Sequence, residues 1–228
     1  MARAQESGDA RMLARLWLNS GAALIELGKL NQAEEALAQA LKLAREQGVY
    51  EVSAMALTNL GDIAIAHASY ERAVARYEES NQIFEKIGNV LGLAINLLYQ
   101  GYVLYLTKSY VVARAKILEA LQVLKKLGDR AYLVECLDGL TLLEIQQSSF
   151  ERAAILSGAA AALHTALGTA IAPAMRKEYP RALSALKAQM GAADFEEAWE
   201  KGSVMNLEEA MGLVVGNEKG VMSYNPSD

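Results

Sequence analysis

Residues 48–88 read GVYEVSAMALTNLGDIAIAHASYERAVARYEESNQIFEKIG, and this stretch decides the fold. It opens and closes on glycine, and between the two run two apolar stripes of helical period. Ala54, Leu57, Leu60, Gly61 and Ala64 share one face of the first half, Tyr50 to His67. Ala73, Val74, Tyr77, Ser80, Asn81 and Phe84 share one face of the second half, Tyr70 to Ile87. Each half is long enough for about four to five helical turns. Only Ala68-Ser69 separates them, so the two helices, A then B, are antiparallel neighbours.

The same pattern recurs along the chain at a spacing of 40 residues. Gly8, Gly48, Gly88, Gly128 and Gly168 form one column; Leu30, Tyr70, Tyr110 and Phe150 a second; Ala33, Ala73, Ala113 and Ala153 a third. Gly21, Gly61 and Gly101 form a fourth, with Thr141 in the corresponding place. The first column falls at helix ends, where a left-handed residue costs least as glycine. Asp9, Asn89 and Asp129 follow these glycines and are placed to cap the next helix. The fourth column sits in mid-helix, where glycine costs about 1 kcal/mol relative to alanine. It predicts a close approach of helix B, with the alanine column as its counterpart.

These residues resemble the tetratricopeptide repeat, whose signature is W-x2-L-G-x2-Y followed by A-x3-F. The chain reads Trp17-x2-Ser20-Gly21-x2-Leu24 then Ala33-x3-Leu37, and Leu57-x2-Leu60-Gly61-x2-Ala64 then Ala73-x3-Tyr77. It continues Leu97-x2-Gln100-Gly101-x2-Leu104 then Ala113-x3-Ile117, and, most weakly, Leu137-x2-Leu140-Thr141-x2-Glu144 then Ala153-x3-Ser157. The resemblance implies an all-α, right-handed superhelical solenoid of antiparallel helix pairs. The longer period and the missing proline after helix B are similar to the MalT-like subclass. That subclass occurs in the C-terminal repeat regions of large bacterial ATPase/LuxR-type transcriptional regulators. Four repeats are expected, 9–48, 49–88, 89–128 and 129–168.

Gly8-Asp9 matches Gly128-Asp129, so residues 1–8 read as the end of a truncated repeat, the alternative being a frayed tail. The truncated reading implies a fragment of a longer protein, or a natural product that has lost its upstream repeats. Beyond Gly168 the register breaks, and a C-terminal helical cap is expected over 169–215. Its helices are Ala174 to Met190, Ala193 to Lys201, and Leu207 to Val215 with Asn206 as N-cap. Pro180 should kink the first or mark its real start. Phe195 and Trp199 share a face, as do Leu207, Met211 and Val214. Residues 150–215 also resemble a C-terminal extension of the same signalling proteins, and residues 216–228 read as a disordered tail.

Composition excludes several function classes. The net charge is −5 and no basic cluster exceeds a pair, which disfavours nucleic-acid binding. No apolar run approaches the roughly 20 residues of a membrane span. The start of the chain lacks a signal-peptide core. A single cysteine, Cys136, suits a reducing compartment, so a cytoplasmic location is expected. No phosphate-cradling motif occurs. His67 and His164 are far apart in sequence and read as ordinary surface or capping residues rather than metal ligands. No catalytic residue, metal site or cofactor is predicted.

What remains is the groove. The resemblance implies that A helices line a concave surface, with Asn19, Asn59, Asp62 and Asp138 among the residues pointing into it. The carboxylate clamp of the family is incomplete, since only Asn19 and Asn59 fit it. Tyr99, Tyr102 and Tyr105 form one stripe on a helix. Two readings are open: an aromatic platform for a peptide, partner helix or sugar-like ligand, or packing between neighbouring A helices. The expected function is a non-enzymatic module binding a protein, peptide or small-molecule effector, as the sensor region of a bacterial regulator. The alternative is a standalone scaffold, with homodimers formed through open solenoid ends at Met12, Leu13 and Leu16.

Overall fold

Residues 2–215 are described by a computed structural model, and among them the chain forms eleven α-helices, one 3-10 turn and no strand. The all-α expectation is met. None of the described helices is long and apolar enough to cross a membrane. The expected disorder of residues 216–228 lies outside the described residues.

The chain divides into two compact units. The first holds α1 (Ala2–Glu26), α2 (Leu30–Glu46), α3 (Tyr50–Ala66), α4 (Tyr70–Ile87), α5 (Val90–Leu106) and α6 (Tyr110–Leu127), together with the 3-10 turn Pro173–Met175. Helices pair as α1 with α2, α3 with α4 and α5 with α6; α2 also touches α3 and α4 touches α5, and A touches A (α1 with α3, α3 with α5). This is the packing expected of stacked helical repeats.

Each joint of the repeat pattern closes on a residue with positive φ. At the B-to-A joints that residue is Gly48, Gly88, Gly128 or Gly168, with φ of 64, 68, 72 and 66°. At the A-to-B joints it is Gly28 once, and otherwise Ala68, Lys108 and Ser148, with φ of 55, 65 and 60°. The hydrogen bonds are those of a Schellman motif: Ser69 N donates to Ala64 O at 2.8 Å, and Ala68 N to Ile65 O at 2.8 Å. Asn89 and Asp129 cap their helices as expected, accepting from Gly92 N at 2.9 Å and Tyr132 N at 3.2 Å.

Gly8 behaves differently. α1 runs unbroken through Gly8-Asp9, so no helix ends there and Asp9 is not a cap. Nothing lies within 4 Å of where a Gly8 Cβ would be, so no contact forces the helix to end there. Continuing the helix is therefore cheaper than breaking it.

The mid-helix glycines do mark close approaches, and the alanine column takes part only at Gly101, where a Cβ would lie 3.4 Å from Ala113 O. A Cβ on Gly21, Gly61 or Gly101 would lie 2.5 Å from a side-chain atom of Leu37, Tyr77 or Ile117. These are the large residues four positions beyond Ala33, Ala73 and Ala113. The alanines are fully buried, while the next turn of helix B fills the space left by each glycine.

The second unit holds α7 (Arg130–Gln146), α8 (Phe150–Leu167), α9 (Glu178–Met190), α10 (Ala192–Ser203) and α11 (Leu207–Val215). Here the volume is exchanged: Thr141 takes the glycine place and Ser157 the large one, both buried, with Thr141 Oγ1 bonded to Leu137 O at 2.8 Å. α10 lies against α8 with the backbones in contact. A Cβ on Gly158 would fall 2.0 Å from Trp199 O, and one on Gly202 would fall 1.8 Å from Ile155 O. Phe195, Ala198 and Leu186 complete an apolar cluster with Ala153 and Ala154. α9 begins at Glu178 rather than Ala174, because Pro180 belongs to its first turn, where a missing amide is harmless. A capping box opens α11: Asn206 N donates to Glu209 Oε2 at 2.9 Å, and Glu209 N to Asn206 Oδ1 at 3.1 Å.

Candidate functional site

α3 is the most enclosed helix of the first unit. α2 and α4 lie behind it and α1 and α5 on its flanks, so one side is left. Gly61 faces α4, and Asn59, two residues earlier, lies about 160° around the helix from it. Asn59 is half-buried and Met55, a turn before it, is 43% exposed. α3 also contacts the turn Pro173–Met175, in which Met175 is fully buried. Sequence reasoning placed Pro173 in a linker and missed this seat, since nothing local in Pro-Ala-Met shows where it docks.

Under that face runs a buried polar network. Thr58 Oγ1 lies 2.8 Å from Asn96 Oδ1 and 3.0 Å from Ser80 Oγ; Ser80 Oγ donates to Ala54 O at 3.0 Å. Asn96 Nδ2 donates to Asn81 Oδ1 at 2.8 Å, tying α5 to α4. Tyr77 donates its hydroxyl to Asp62 Oδ1 at 2.7 Å. Burial raises the Asp62 carboxyl from 3.8 to about 7, against the lowering effect of the Tyr77 hydrogen bond. Burial first, and then the Asp62 charge, push the Tyr77 hydroxyl well above its ordinary range. Satisfied networks of this kind fix the register of neighbouring helices.

The tyrosine stripe adjoins the network. Tyr99, Tyr102 and Tyr105 are buried. Tyr77 and Tyr99 have ring centroids 6.1 Å apart, Tyr99 and Tyr102 5.8 Å, and Tyr105 and Tyr110 5.6 Å, all tilted. Of the residues read as groove-lining, Asp62, Tyr99 and Tyr102 thus join one cluster through Tyr77. Tyr105 pairs with Tyr110, Asn19 is exposed on α1, and Asn59 is half-buried on α3. Asp138 belongs to the second unit.

There Asp138 is 1% exposed and its Oδ2 lies 2.9 Å from His164 Nε2; His164 Nδ1 lies 2.7 Å from Thr169 Oγ1. The Tyr179 hydroxyl is turned toward Asp138 and Thr141 without reaching strict hydrogen-bond geometry to either. Burial raises the Asp138 carboxyl, while His164 and Tyr179 draw it down. His164 is therefore a buried bridge rather than the surface residue its sequence position implied. No spacing rule joins it to Asp138, because their meeting depends on how α7 and α8 pair. The array borders a pocket of about 290 Å³ walled by Ala161, Ile171, Leu183 and Trp199. Both ring nitrogens are engaged, so the chemistry it performs here is a clasp on α7, α8 and the segment after α8. His67, by contrast, is the exposed C-cap of α3. Among the described residues, no group of three or more His, Cys, Asp or Glu is arranged to hold a metal ion.

Residues 12–86 match the tetratricopeptide repeat family, a span from early α1 to the last turn of α4. Over that stretch the chain is similar to a tetratricopeptide repeat. No curated protein matches the sequence.

Proposed function

We propose, taking the tetratricopeptide repeat as premise, that this chain is a non-enzymatic module that binds a segment of a protein partner on the A-helix side of its first unit. Tetratricopeptide repeats generally serve as protein-interaction scaffolds. One observation supports the choice of face most: besides its four helical neighbours, α3 is in contact with a short non-repeat segment. Asn59 lies on the side of α3 away from Gly61, and the network of Thr58, Asn96 and Asp62 holds it rigid from beneath. A rigid face loses little entropy on binding. The tyrosines act in this reading as the buried support of the face.

The forty-residue period and the resemblance of residues 150–215 favour a sensor region of a bacterial regulator, working in the cytoplasm. A second reading, self-association, draws on α1, where Met12, Leu13, Leu16 and Trp17 are 59, 45, 57 and 38% exposed. Sedimentation of the wild type and Leu16→Glu tests it: a dimer abolished by the substitution supports self-association, and a concentration-independent monomer removes it.

For the main reading, the test is selection of peptide binders from a random library on the full chain. Binders should lose affinity for Asn59→Arg and keep it for Lys42→Glu on the outer helix α2. Binders indifferent to Asn59→Arg would overturn the choice of face.

A further inference from the structure

Pro173–Met175 has no place in the repeat pattern, yet it is seated on α3 as part of the first unit. A segment that only joined two helices would run over the surface with its side chains in water. This one buries Met175 completely. Its composition is that of a short ligand: proline has no amide to satisfy and a preset φ, alanine allows close approach, and methionine fills irregular apolar gaps. The three residues carry no charge, which suits a seat between packed helices.

We infer that Pro173–Met175 is a ligand-like segment held in cis on the partner-binding face of α3. The inference rests on that face being the interaction surface proposed above. It names the partner chemistry as an uncharged stretch with proline followed two positions later by a long, unbranched apolar side chain. It also assigns a regulation: the resident turn and the partner segment compete for one seat. A tethered segment acts at an effective concentration in the millimolar range, so a resident with a Kd near 0.1 mM weakens an external competitor on the order of tenfold.

The test uses the full chain and a labelled nonapeptide copying residues 169–177, read by fluorescence anisotropy. Met175→Asp should expel the turn, and the peptide should bind this variant on the order of tenfold more tightly than the wild type. Met175→Ser, a milder change, should fall between. The peptide with aspartate in place of its methionine should not bind. Circular dichroism and melting confirm that each variant is folded; if Met175→Asp is not, the comparison with Met175→Ser decides. Equal affinity for the wild type and the folded variant, lost in Asn59→Arg, overturns the competition and leaves the choice of face standing. Binding unaffected by Asn59→Arg overturns both. No binding to a folded variant overturns the inferred partner chemistry.

Discussion

Replacing Asp62 by asparagine should stabilise the first unit at neutral and alkaline pH. Asp62 is 8% exposed and its carboxyl is raised from 3.8 to about 7, chiefly by burial. In that window the folded chain keeps a proton that the unfolded chain has released. Stability from this group is therefore full below about pH 4, falls as pH rises through the window, and levels off above about pH 7. A difference of about three pH units at about 1.4 kcal/mol each is roughly 4 kcal/mol, of which roughly 3 falls between about pH 4.5 and about pH 8. Asparagine presents the same oxygen to the Tyr77 hydroxyl and does not ionise.

The assay is urea unfolding of Asp62→Asn and its parent at both ends of that range. The chain has two tryptophans, Trp17 and Trp199, one in each unit. A Trp199→Phe background leaves Trp17 to report the first unit alone, which matters because two units need not unfold together. The parent should lose stability with rising pH relative to Asp62→Asn, which should be the more stable by roughly 3 kcal/mol at about pH 8. Parallel curves for the two proteins would refute the reasoning, since they would mean that Asp62 ionises in the folded chain as it does in water.

Three further outcomes follow from the geometry. Gly202→Ala puts a Cβ against the Ile155 carbonyl oxygen and should cost about 3 kcal/mol or more by denaturation, whereas Gly212→Ala, with nothing within 4 Å, should gain about 0.5–1 kcal/mol. Lys108→Gly relieves a positive φ of 65° and should raise stability by about 1 kcal/mol, read as a shift in melting temperature. His164→Ala leaves Asp138 buried without its bridge and should cost about 3 kcal/mol; adding Asp138→Ala should recover part of that loss.

The repeat was legible because backbone constraints leave residue-specific traces. A left-handed residue closes each joint of the repeats, and at Gly48, Gly88, Gly128 and Gly168 it is glycine. The same conformation at Ala68, Lys108 and Ser148 left no trace, because hydrogen bonding and packing hold those residues there against their preference. Gly8 shows the converse, a residue in the right register with no packing that would end the helix. The nearest partners of Gly21, Gly61 and Gly101 lie one helical turn beyond the expected alanines, since periodicity fixes a face but not the height at which two helices meet. The site was harder. Periodicity put Tyr99, Tyr102 and Tyr105 on one stripe without saying what covers it. The Asp138–His164 clasp and the seat of Met175 join positions far apart in sequence, which composition and spacing do not encode.

Methionine oxidation tests the seat of Pro173–Met175 directly. Met175 is fully buried, while Met12 and Met55 are 59 and 43% exposed. Under limited peroxide treatment of the folded chain, followed by peptide mass spectrometry, Met12 and Met55 should convert to the sulfoxide first, with Met175 slower by on the order of tenfold. Oxidation of Met175 as fast as Met12 would mean that the turn stands off α3, and the reading of that face as an occupied binding surface would be wrong.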